Sequence, residues 1–306
     1  MARYTVTGGA GFIGSHLCDA LLDKGHEVVV LDDLSGGKRE NLPAGAKLLV
    51  GDAADPGAVA EALSGAQGCF HLAAIASVAR SIAEWLPTHR ANQTATVAVL
   101  DRAAKQGRIP VVFASSAAVY GHGNTMPLSE GAPTFPLTAY GADKLGSELH
   151  ASVAWTVHRV PTVGLRFFNV YGPRQDPSSP YSGVVSIFVD RLKRGEALEI
   201  HGDGSQVRDF VFVNDVVAHL ETAMDNCREG ARIYNVCTGT PTTILGLADI
   251  MADILGVRPD VAMGPERPGD IRKSLGDPSL ARAWFGLSAA TGLREGLSRL
   301  LAAIPE

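Results

Sequence analysis

The chain has 306 residues, of which 46% are apolar and 19% charged, and its formal net charge is −5. This is the composition of a globular protein rather than a disordered one. The net negative charge and the lack of a basic cluster argue against a nucleic-acid partner. The length predicts two lobes that share an interface.

The four cysteines are widely spaced and form no Cys-x-x-Cys pair, so neither a metal centre nor a disulfide framework is expected. No run reaches about 18 apolar residues, which argues against a membrane span. A strand pattern begins within a few residues of Met1, so no signal peptide is expected. These observations predict a cytoplasmic protein with reduced thiols.

The first half of the chain alternates short apolar strands with helical patterns. Strands are predicted at 3–7, 27–32, 47–52, 68–73, 110–116 and 162–168. Helices are predicted at 12–25, 55–63, 88–106 and 139–157, the second with Asp55 as N-cap and Pro56 in its first turn. Nearly continuous apolar strands separated by helices indicate a parallel sheet covered on both faces. The predicted fold class is α/β, with a Rossmann-type doubly wound sheet.

The pattern changes after about Asn169. A loop rich in Pro, Ser and Gly is followed by a predicted helix at 184–194, short strands at 198–202 and 208–213, and a threonine-capped helix over 242–255. The segment 267–277 is predicted to be a loop before the closing helices. We expect residues 1–168 to form the dinucleotide-binding domain, which also receives 209–236. Residues 169–306 would form a smaller C-terminal α/β substrate-binding lobe.

A glycine-rich stretch, TGGAGFIGSH, separates the first strand from the first helix. Gly8, Gly11 and Gly14 fit the pattern of loops that bring the backbone close to a pyrophosphate, with a helix N-terminus supplying N–H donors. Asp32 ends the next strand 18 positions after Gly14. Its carboxylate would accept hydrogen bonds from an adenosine ribose and repel a 2′-phosphate. The cofactor is therefore predicted to be NAD rather than NADP.

Three residues suggest proton transfer. Tyr140 and Lys144 are four residues apart and so share one helix face, and Ser116 ends the strand VVFASS. Chemistry in open α/β sheets occurs at the carboxyl ends of strands. We expect the ammonium of Lys144 and the positive nicotinamide ring to lower the pKa of Tyr140. Its phenolate could then take a proton from a sugar hydroxyl, with Ser116 holding or relaying that proton.

With these motifs together, the chain resembles the extended short-chain dehydrogenases/reductases of the nucleotide-sugar epimerase type, similar to UDP-glucose 4-epimerases. The motifs are, in order, TGGAGFIGSH, LDDLS, GD, HLAA, SSAAVYG, YGADK, LRFFNVYGP, GDGSQVRDFVFVND and RPGD. The resemblance implies cofactor contacts from Gly8, Gly11, Phe12, Ile13, Asp32, Asp33, Asp52, Ala53, Leu72, Ala73, Ala74, Tyr140, Lys144 and Phe167. It also implies a homodimer in which helices near 88–106 and 139–157 pair across a two-fold axis, although the apolar residues of the first helix would equally fit packing on the sheet.

The resemblance implies a UDP-sugar as substrate, with contacts from Ser77, Ser116, Asn169, Val184, Phe188, Glu199, His201, Arg208, Arg267, Asp270 and Ser274. Related 4,6-dehydratases carry an Asp-Glu pair where this chain has Ala117 and Ala118, and related decarboxylases carry a Glu at the second position. Two alanines cannot transfer protons, so oxidation and re-reduction at C4 remain, which is 4-epimerisation through a 4-keto intermediate and transient NADH.

Ser274 stands where hexose-only relatives have a tyrosine, which leaves room for an N-acetyl group at C2. We therefore expect interconversion of UDP-Glc with UDP-Gal and of UDP-GlcNAc with UDP-GalNAc. Arg80, in ASVARS, keeps a UDP-glucuronate 4-epimerase as the alternative enzyme, because a guanidinium can bind a carboxylate. A protein that binds NAD as a sensor or scaffold without catalysis is the alternative of a different class.

Overall fold

The computed structural model describes residues 1–123, 125–176, 183–266 and 271–303. The first half contains β1 (Arg3–Thr7), α1 (Phe12–Asp23), β2 (Glu27–Asp32), β3 (Lys47–Val50), α2 (Pro56–Ala62), β4 (Gly68–His71), α3 (Val78–Ala83), α4 (Trp85–His89), α5 (Ala95–Lys105), β5 (Val111–Ser116), α6 (Ala139–His158) and β6 (Thr162–Phe167). The second contains β7 (Asn169–Tyr171), α7 (Val184–Lys193), β8 (Leu198–His201), β9 (Val207–Arg208), β10 (Phe210–Phe212), α8 (Val213–Asp225), β11 (Ala231–Val236), β12 (Thr242–Thr243), α9 (Ile244–Leu255), β13 (Val261–Gly264), α10 (Ser279–Phe285) and α11 (Leu293–Ala302). In the ranges described, no helix is both long and apolar enough to cross a membrane.

The main sheet has seven parallel strands in the order β11-β6-β5-β4-β1-β2-β3. Helices cover both faces, because one apolar cluster joins the sheet to α1 and α8 and another joins it to α2, α5 and α6. The predicted doubly wound α/β fold is confirmed. The chain direction across the sheet reverses between β1 and β4, and ligands of such sheets bind outside the strand ends at this point.

Three two-stranded sheets, β10-β7, β12-β9 and β13-β8, belong to the second part of the chain. Their core includes Tyr171, Phe188, Leu198 and Leu247, and α7, α9 and α11 pack around it. The strand β11 lies apart from this lobe and extends the main sheet beside β6. The second part of the chain therefore contributes to both cores.

The single strand predicted at 208–213 is wrong. The chain there forms β9 and β10, separated by Asp209, and α8 begins at Val213. The buried carboxylate of Asp209 accepts hydrogen bonds from the backbone N–H groups of Thr238 (2.8 Å) and Gly239 (2.9 Å). Asp209 thus separates two short strands that pair with different neighbours, β9 with β12 and β10 with β7.

The helix predicted at 88–106 is confirmed, but the sequence did not predict its middle turn. The structure has α4, a π-helical turn at Arg90–Thr94 and then α5, which follow one another without a break. Within this turn the Asn92 side chain is buried, and it accepts from Ile75 N at 2.8 Å and donates to Ile75 O at 3.3 Å. The wider turn thus fixes the loop after β4, and such turns are frequent at functional sites.

Candidate active site

A cavity of about 930 Å³ lies at the carboxyl edge of the main sheet, around the point where the chain direction reverses. All fourteen residues predicted to contact the cofactor line it. The loops after β1, β2, β3 and β4 form one part of the wall, and the ends of β5 and β6 with the first turns of α6 form another. The cavity therefore joins the predicted dinucleotide loop to the predicted catalytic residues.

The glycine loop after β1 passes close to neighbouring backbone. Gly8 has a φ of +71°, and a Cβ atom added there would lie 2.6 Å from the backbone nitrogen of Ala73. A Cβ atom on Gly14 would collide with the carbonyl oxygen of Gly8. Gly11 is the N-cap of α1, and no side chain caps this helix. The N–H groups of the first turn are therefore available to the cavity, which fits a pyrophosphate.

Asp32 ends β2 in the wall of the cavity and is 7% exposed. Its Oδ2 accepts from Ala10 N and its Oδ1 from Leu34 N, both at 2.9 Å. Burial raises the pKa of Asp32, and these two hydrogen bonds oppose the shift. Each carboxylate oxygen can accept a further hydrogen bond, so the group fits a ribose diol.

The adenine end of the predicted cofactor site contains Asp52, Ala53 and Arg90. Asp52 Oδ1 accepts from Ala54 N at 2.7 Å, and Oδ2 accepts from Arg90 Nε and Nη2 at 3.2 and 3.0 Å. Arg90 comes from the π-helical turn, which sequence reasoning missed. The ion pair is largely exposed, so it orients the Asp52 carboxylate but contributes little to the stability of the fold.

Ser116 and Tyr140 meet at the end of β5. Both side chains line the cavity, and Ser116 Oγ accepts a hydrogen bond from Ala118 N at 3.1 Å. Burial raises the pKa of Tyr140, and the neighbouring hydroxyl of Ser116 opposes that shift. In the protein by itself, removal of the phenol from water outweighs the favourable contact with Ser116. The lowering expected from Lys144 and the nicotinamide ring together stays a prediction.

Lys144 is 5% exposed and lies one helical turn after Tyr140. Its Nζ donates to the carbonyl oxygen of Ala114 at 2.9 Å and lies 5.8 Å from the centroid of the Tyr140 ring. Burial lowers the pKa of Lys144 to about 8, while the charge of Asp143 opposes the shift. Lys144 is thus still largely cationic near neutral pH.

The predicted substrate residues divide into two groups. Ser77, Ser116 and Asn169 line the cavity. Among the residues that the structure describes, six others lie outside its wall: Val184, Phe188, Glu199, His201, Arg208 and Ser274. Arg267 and Asp270 fall outside the described residues.

Four of the six make contacts within the second half of the chain. Phe188 is buried in the core of the second lobe, and Glu199 pairs with Arg191 at 3.3 Å. His201 Nδ1 lies 3.2 Å from the carbonyl oxygen of Pro265, and Arg208 donates to the carbonyl oxygen of Ile271 at 2.6 Å. These contacts place His201 beside Pro265 and Arg208 beside Ile271.

Sequence reasoning missed part of the cavity wall. Lys38 and Asp176 line it and form an ion pair of 3.4 Å between the loops after β2 and β7. Arg174 also lines it and pairs with Asp19 of α1 at 2.7 Å. The charged residues of these loops were the available signal, but which loops meet depends on the fold.

Comparison with known proteins gives concordant results. The model of the NAD dependent epimerase/dehydratase family matches residues 4–237. The chain is 38% identical over 306 residues to a UDP-glucose 4-epimerase of Mycolicibacterium smegmatis, covering 97% of this chain and 96% of that protein.

Two solved structures are also similar. One is the UDP-glucose 4-epimerase of Thermotoga maritima with UDP-glucose, with a TM-score of 0.95, 36% identity and 98% of each chain covered. The other is a UDP-N-acetylglucosamine 4-epimerase of Methanobrevibacter ruminantium in complex with UDP-N-acetylmuramic acid. Its TM-score is 0.93 and its identity 36%, with 99% of this chain and 97% of that chain covered.

Proposed function

We propose that this chain, which belongs to the NAD-dependent epimerase/dehydratase family, is a UDP-hexose 4-epimerase. It would interconvert UDP-Glc with UDP-Gal, and UDP-GlcNAc with UDP-GalNAc. The comparisons confirm three sequence-based predictions: membership of the epimerase family, NAD as the cofactor, and an enzyme of the nucleotide-sugar epimerase class. The observation that carries the proposed reaction is the contact of Ser116 with Tyr140 inside the cofactor cavity.

The cavity fits NAD at separate points. The first turn of α1 would hold the pyrophosphate, because its N–H groups are uncapped by a side chain. The two oxygens of Asp32 would accept from the adenosine ribose, and Asp52 would accept from the adenine amino group. Leu72, Ala74 and Phe167 would flank the nicotinamide, with Gly8, Phe12, Ile13, Asp33, Ala53 and Ala73 completing the wall.

Tyr140 would be the base that takes the proton from the C4 hydroxyl. The bound cofactor would accept the C4 hydride and later return it. Because burial alone raises the pKa of Tyr140, a nearby positive charge is required for a phenolate at neutral pH. Lys144 supplies one such charge, held on β5 by the Ala114 carbonyl. Ser116 would orient the sugar hydroxyl and share the proton.

The residues after Ser116 favour epimerisation over elimination. Ala117 and Ala118 form a short 3₁₀ turn that follows β5 directly. A dehydratase must also move protons at C5 and C6, and methyl groups at these positions cannot do so. The 4-keto sugar is left to rotate in the cavity, present its opposite face and be reduced with inverted configuration, while Tyr140 returns the proton.

The nucleotide would lie between the cavity and the second lobe. Arg208 and Arg267 would bind the diphosphate, Asp270 a ribose hydroxyl, and Val184, Glu199 and His201 the uridine. Phe188 is buried in the core of the second lobe and has no surface to offer the uridine. The contact of Arg208 with the carbonyl oxygen of Ile271 fixes the position of its guanidinium, which supports its role in the proposed diphosphate site. We also propose a division into domains at residue 168, with 209–236 returning to the first domain.

Ser274 would set tolerance at C2 of the sugar. It is buried, and its backbone nitrogen donates to Val207 O at 3.0 Å, which fixes its position beside β9. A tyrosine there would occupy the space that an acetamido group needs. The Methanobrevibacter ruminantium relative is a UDP-N-acetylglucosamine 4-epimerase, which supports the N-acetyl pair as substrates of this chain.

The two alternatives have weaker support. Arg80 lines the cavity, but its Nε donates to Glu84 Oε2 at 2.8 Å. This pairing compensates its charge and makes it less suited to the carboxylate of UDP-glucuronate. A non-catalytic sensor would not require Ser116, Tyr140 and Lys144 to converge on one cavity.

We further propose a homodimer, formed through an apolar stripe on α6. Leu149, Val153 and Val157 follow one another at four-residue spacing and are 63, 52 and 65% exposed. The neighbouring α3 and α4 expose Ile82, Trp85 and Leu86. On α5 the apolar residues Ala95, Val99, Leu100 and Ala103 are buried, so α5 packs mainly inward. A second copy of the chain would cover the stripe.

The experiment that tests the proposal is a substrate panel. Purified protein is incubated separately with UDP-Glc, UDP-GlcNAc and UDP-glucuronate, and the anomeric protons are followed by NMR. We expect C4 epimers of the first two. Turnover of UDP-glucuronate alone would show that the protein is a UDP-glucuronate 4-epimerase instead. No turnover of any of them, even with NAD added, would favour the non-catalytic class.

A further inference from the structure

A buried polar cluster lies directly behind the Ser116–Tyr140 contact and has no role in the proton transfer described above. We name its three members, Ser115, Glu148 and Arg166, the carboxylate bracket; all are at most 8% exposed. Ser115 Oγ donates to Glu148 Oε1 at 2.5 Å. Arg166 donates to the same carboxylate twice, from Nε to Oε1 at 2.8 Å and from Nη2 to Oε2 at 2.7 Å.

Each member is tied to a part of the active site. Ser115 precedes Ser116 on β5, and Arg166 precedes the cavity residue Phe167 on β6. Glu148 lies on α6, eight residues after Tyr140 and four after Lys144, so the three share one helix face. The bracket thus joins the two strands and the helix that carry the reacting groups.

The bracket and the catalytic residues attach α6 to consecutive positions of β5. Lys144 donates to the carbonyl of Ala114, Glu148 accepts from Ser115, and Tyr140 lies in the cavity wall beside Ser116, whose hydroxyl lowers its pKa. Loss of the Ser115–Glu148 contact would remove the attachment of β5 to α6 at the position between Ala114 and Ser116. A small shift of Ser116 relative to Tyr140 would follow, and sub-ångström geometry matters for proton transfer.

The residue types in the bracket indicate that it orients the active-site elements rather than stabilises the fold. Two buried charges lose their hydration, and a well-packed apolar pair would often stabilise a protein equally well. The guanidinium of Arg166 is further fixed, because it donates to Glu130 O at 3.1 Å and lies 4.7 Å from the centroid of the Tyr120 ring. A bidentate pair held this firmly has a single geometry.

We propose that Glu148 is a positioning residue, which acts through Ser115 and Arg166 to hold Ser116 against Tyr140 at the nicotinamide end of the cavity. The inference rests on the proposed epimerase function for its kinetic consequence. Its structural consequence is independent of that function, because the ionisation of Tyr140 can be measured without turnover.

The test uses Ser115→Ala in the protein as purified. This change removes one donor to Glu148 and leaves the buried ion pair intact, so the variant should fold. We expect kcat with UDP-Glc to fall about 10-fold with KM changed less than about twofold, because geometry rather than substrate binding is altered. We also expect the pKa of Tyr140 to rise, as its contact with Ser116 weakens. Ultraviolet titration of tyrosinate, with Tyr140→Phe subtracted, measures this shift.

Two further variants control the interpretation. Thr162→Val removes another buried hydroxyl between β6 and α6, which donates to Ala151 O at the far end of the same helix. It should lower thermal stability without changing kcat or the titration. Ser115→Thr retains a hydroxyl and should recover most of the kcat of the original protein.

The outcomes separate the two claims. If Ser115→Ala lowers only the melting temperature, as Thr162→Val does, and leaves the Tyr140 titration unchanged, the positioning role is wrong. If the original protein turns over no UDP-hexose, the proposed function fails, but the titration of Ser115→Ala still decides whether the bracket positions Ser116.

Discussion

The Nζ atom of Lys144 lies 2.9 Å from the carbonyl oxygen of Ala114 and 5.8 Å from the centroid of the Tyr140 ring. The lysine is therefore anchored on β5 while its charge acts on the phenol through space. This arrangement allows Tyr140 to change protonation state without losing its cation. It also separates two effects of pH, which are the charge of Lys144 and the ionisation of Tyr140.

Tyr140→Phe should lower kcat by about 10²-fold or more, because the base is lost while the ring still fills its place. Cofactor content and the binding of UDP should be nearly unchanged. Initial rates with UDP-Glc and isothermal titration with UDP measure the two effects. Tyr4→Phe is the matched control, since Tyr4 packs on His26 and Phe70. Equal kcat in both variants would remove Tyr140 from the mechanism.

The activity should fall as pH rises above about 8. Burial lowers the pKa of Lys144 to about 8, so its ammonium is lost above that value and no longer favours the phenolate of Tyr140. If the ionisation of Tyr140 alone controlled the rate, kcat would instead increase with pH. A profile of kcat from pH 6 to 10 distinguishes the two signs. In Lys144→Met the rate should be low throughout and this alkaline decline absent.

Asp32→Asn should weaken NAD binding by about tenfold and reduce the preference for NAD over NADP. The amide replaces one acceptor oxygen by a donor and removes the charge that opposes a 2′-phosphate. Dissociation constants for both cofactors in cofactor-free protein provide the measurement. Asp55→Asn is the control, because Asp55 caps α2 and should leave both constants unchanged. An unaltered preference in Asp32→Asn would contradict the role of this carboxylate.

Ser274→Tyr should abolish activity with UDP-GlcNAc and preserve activity with UDP-Glc. The reason is steric, since Ser274 is buried and an added phenol would need the space proposed for the acetamido group. The ratio of kcat/KM for the two substrates is the decisive quantity. Ser274→Ala, which adds no bulk, should leave the ratio near that of the original protein. If Ser274→Tyr kept both activities equally, the size argument would be wrong.

Val153→Asp should convert the dimer to a monomer, because a charge in the middle of the Leu149–Val157 stripe would be buried without a partner. Light scattering coupled to size exclusion measures the mass. Val257→Asp places the same charge on another exposed valine, 41% exposed, and should not change the mass. A monomeric original protein would contradict the homodimer at once.

The sequence was sufficient for features that depend on local pattern. The spacing of Gly8, Gly11, Gly14 and Asp32 predicted a loop that the structure places in the cavity wall, and the apolar strand periodicity predicted the sheet. It was not sufficient where a polar side chain interrupts a pattern. Asp209 divides a run that reads as one strand, and Asn92 accompanies a π-helical turn inside a run that reads as one helix.

Contacts between distant loops were also beyond local reasoning. Arg90 reaches Asp52 across 38 positions, and Lys38 pairs with Asp176 only because the loops after β2 and β7 meet over the cavity. The burial that raises the pKa of Tyr140 in the protein by itself could not be predicted from the sequence for a similar reason. Burial of its phenol depends on the packing of α6 against β5, which the Tyr-x-x-x-Lys spacing does not reveal.

The central claim is that a hydride leaves C4 of a UDP-hexose and returns to the same carbon on its other face. The most direct test uses UDP-glucose deuterated at C4, incubated with the purified protein without added NAD, with the product analysed by NMR. We predict UDP-galactose that keeps deuterium at C4. Product that has exchanged its C4 deuterium for solvent hydrogen would contradict hydride return, and a failure to form product even with added NAD would contradict the 4-epimerase assignment itself.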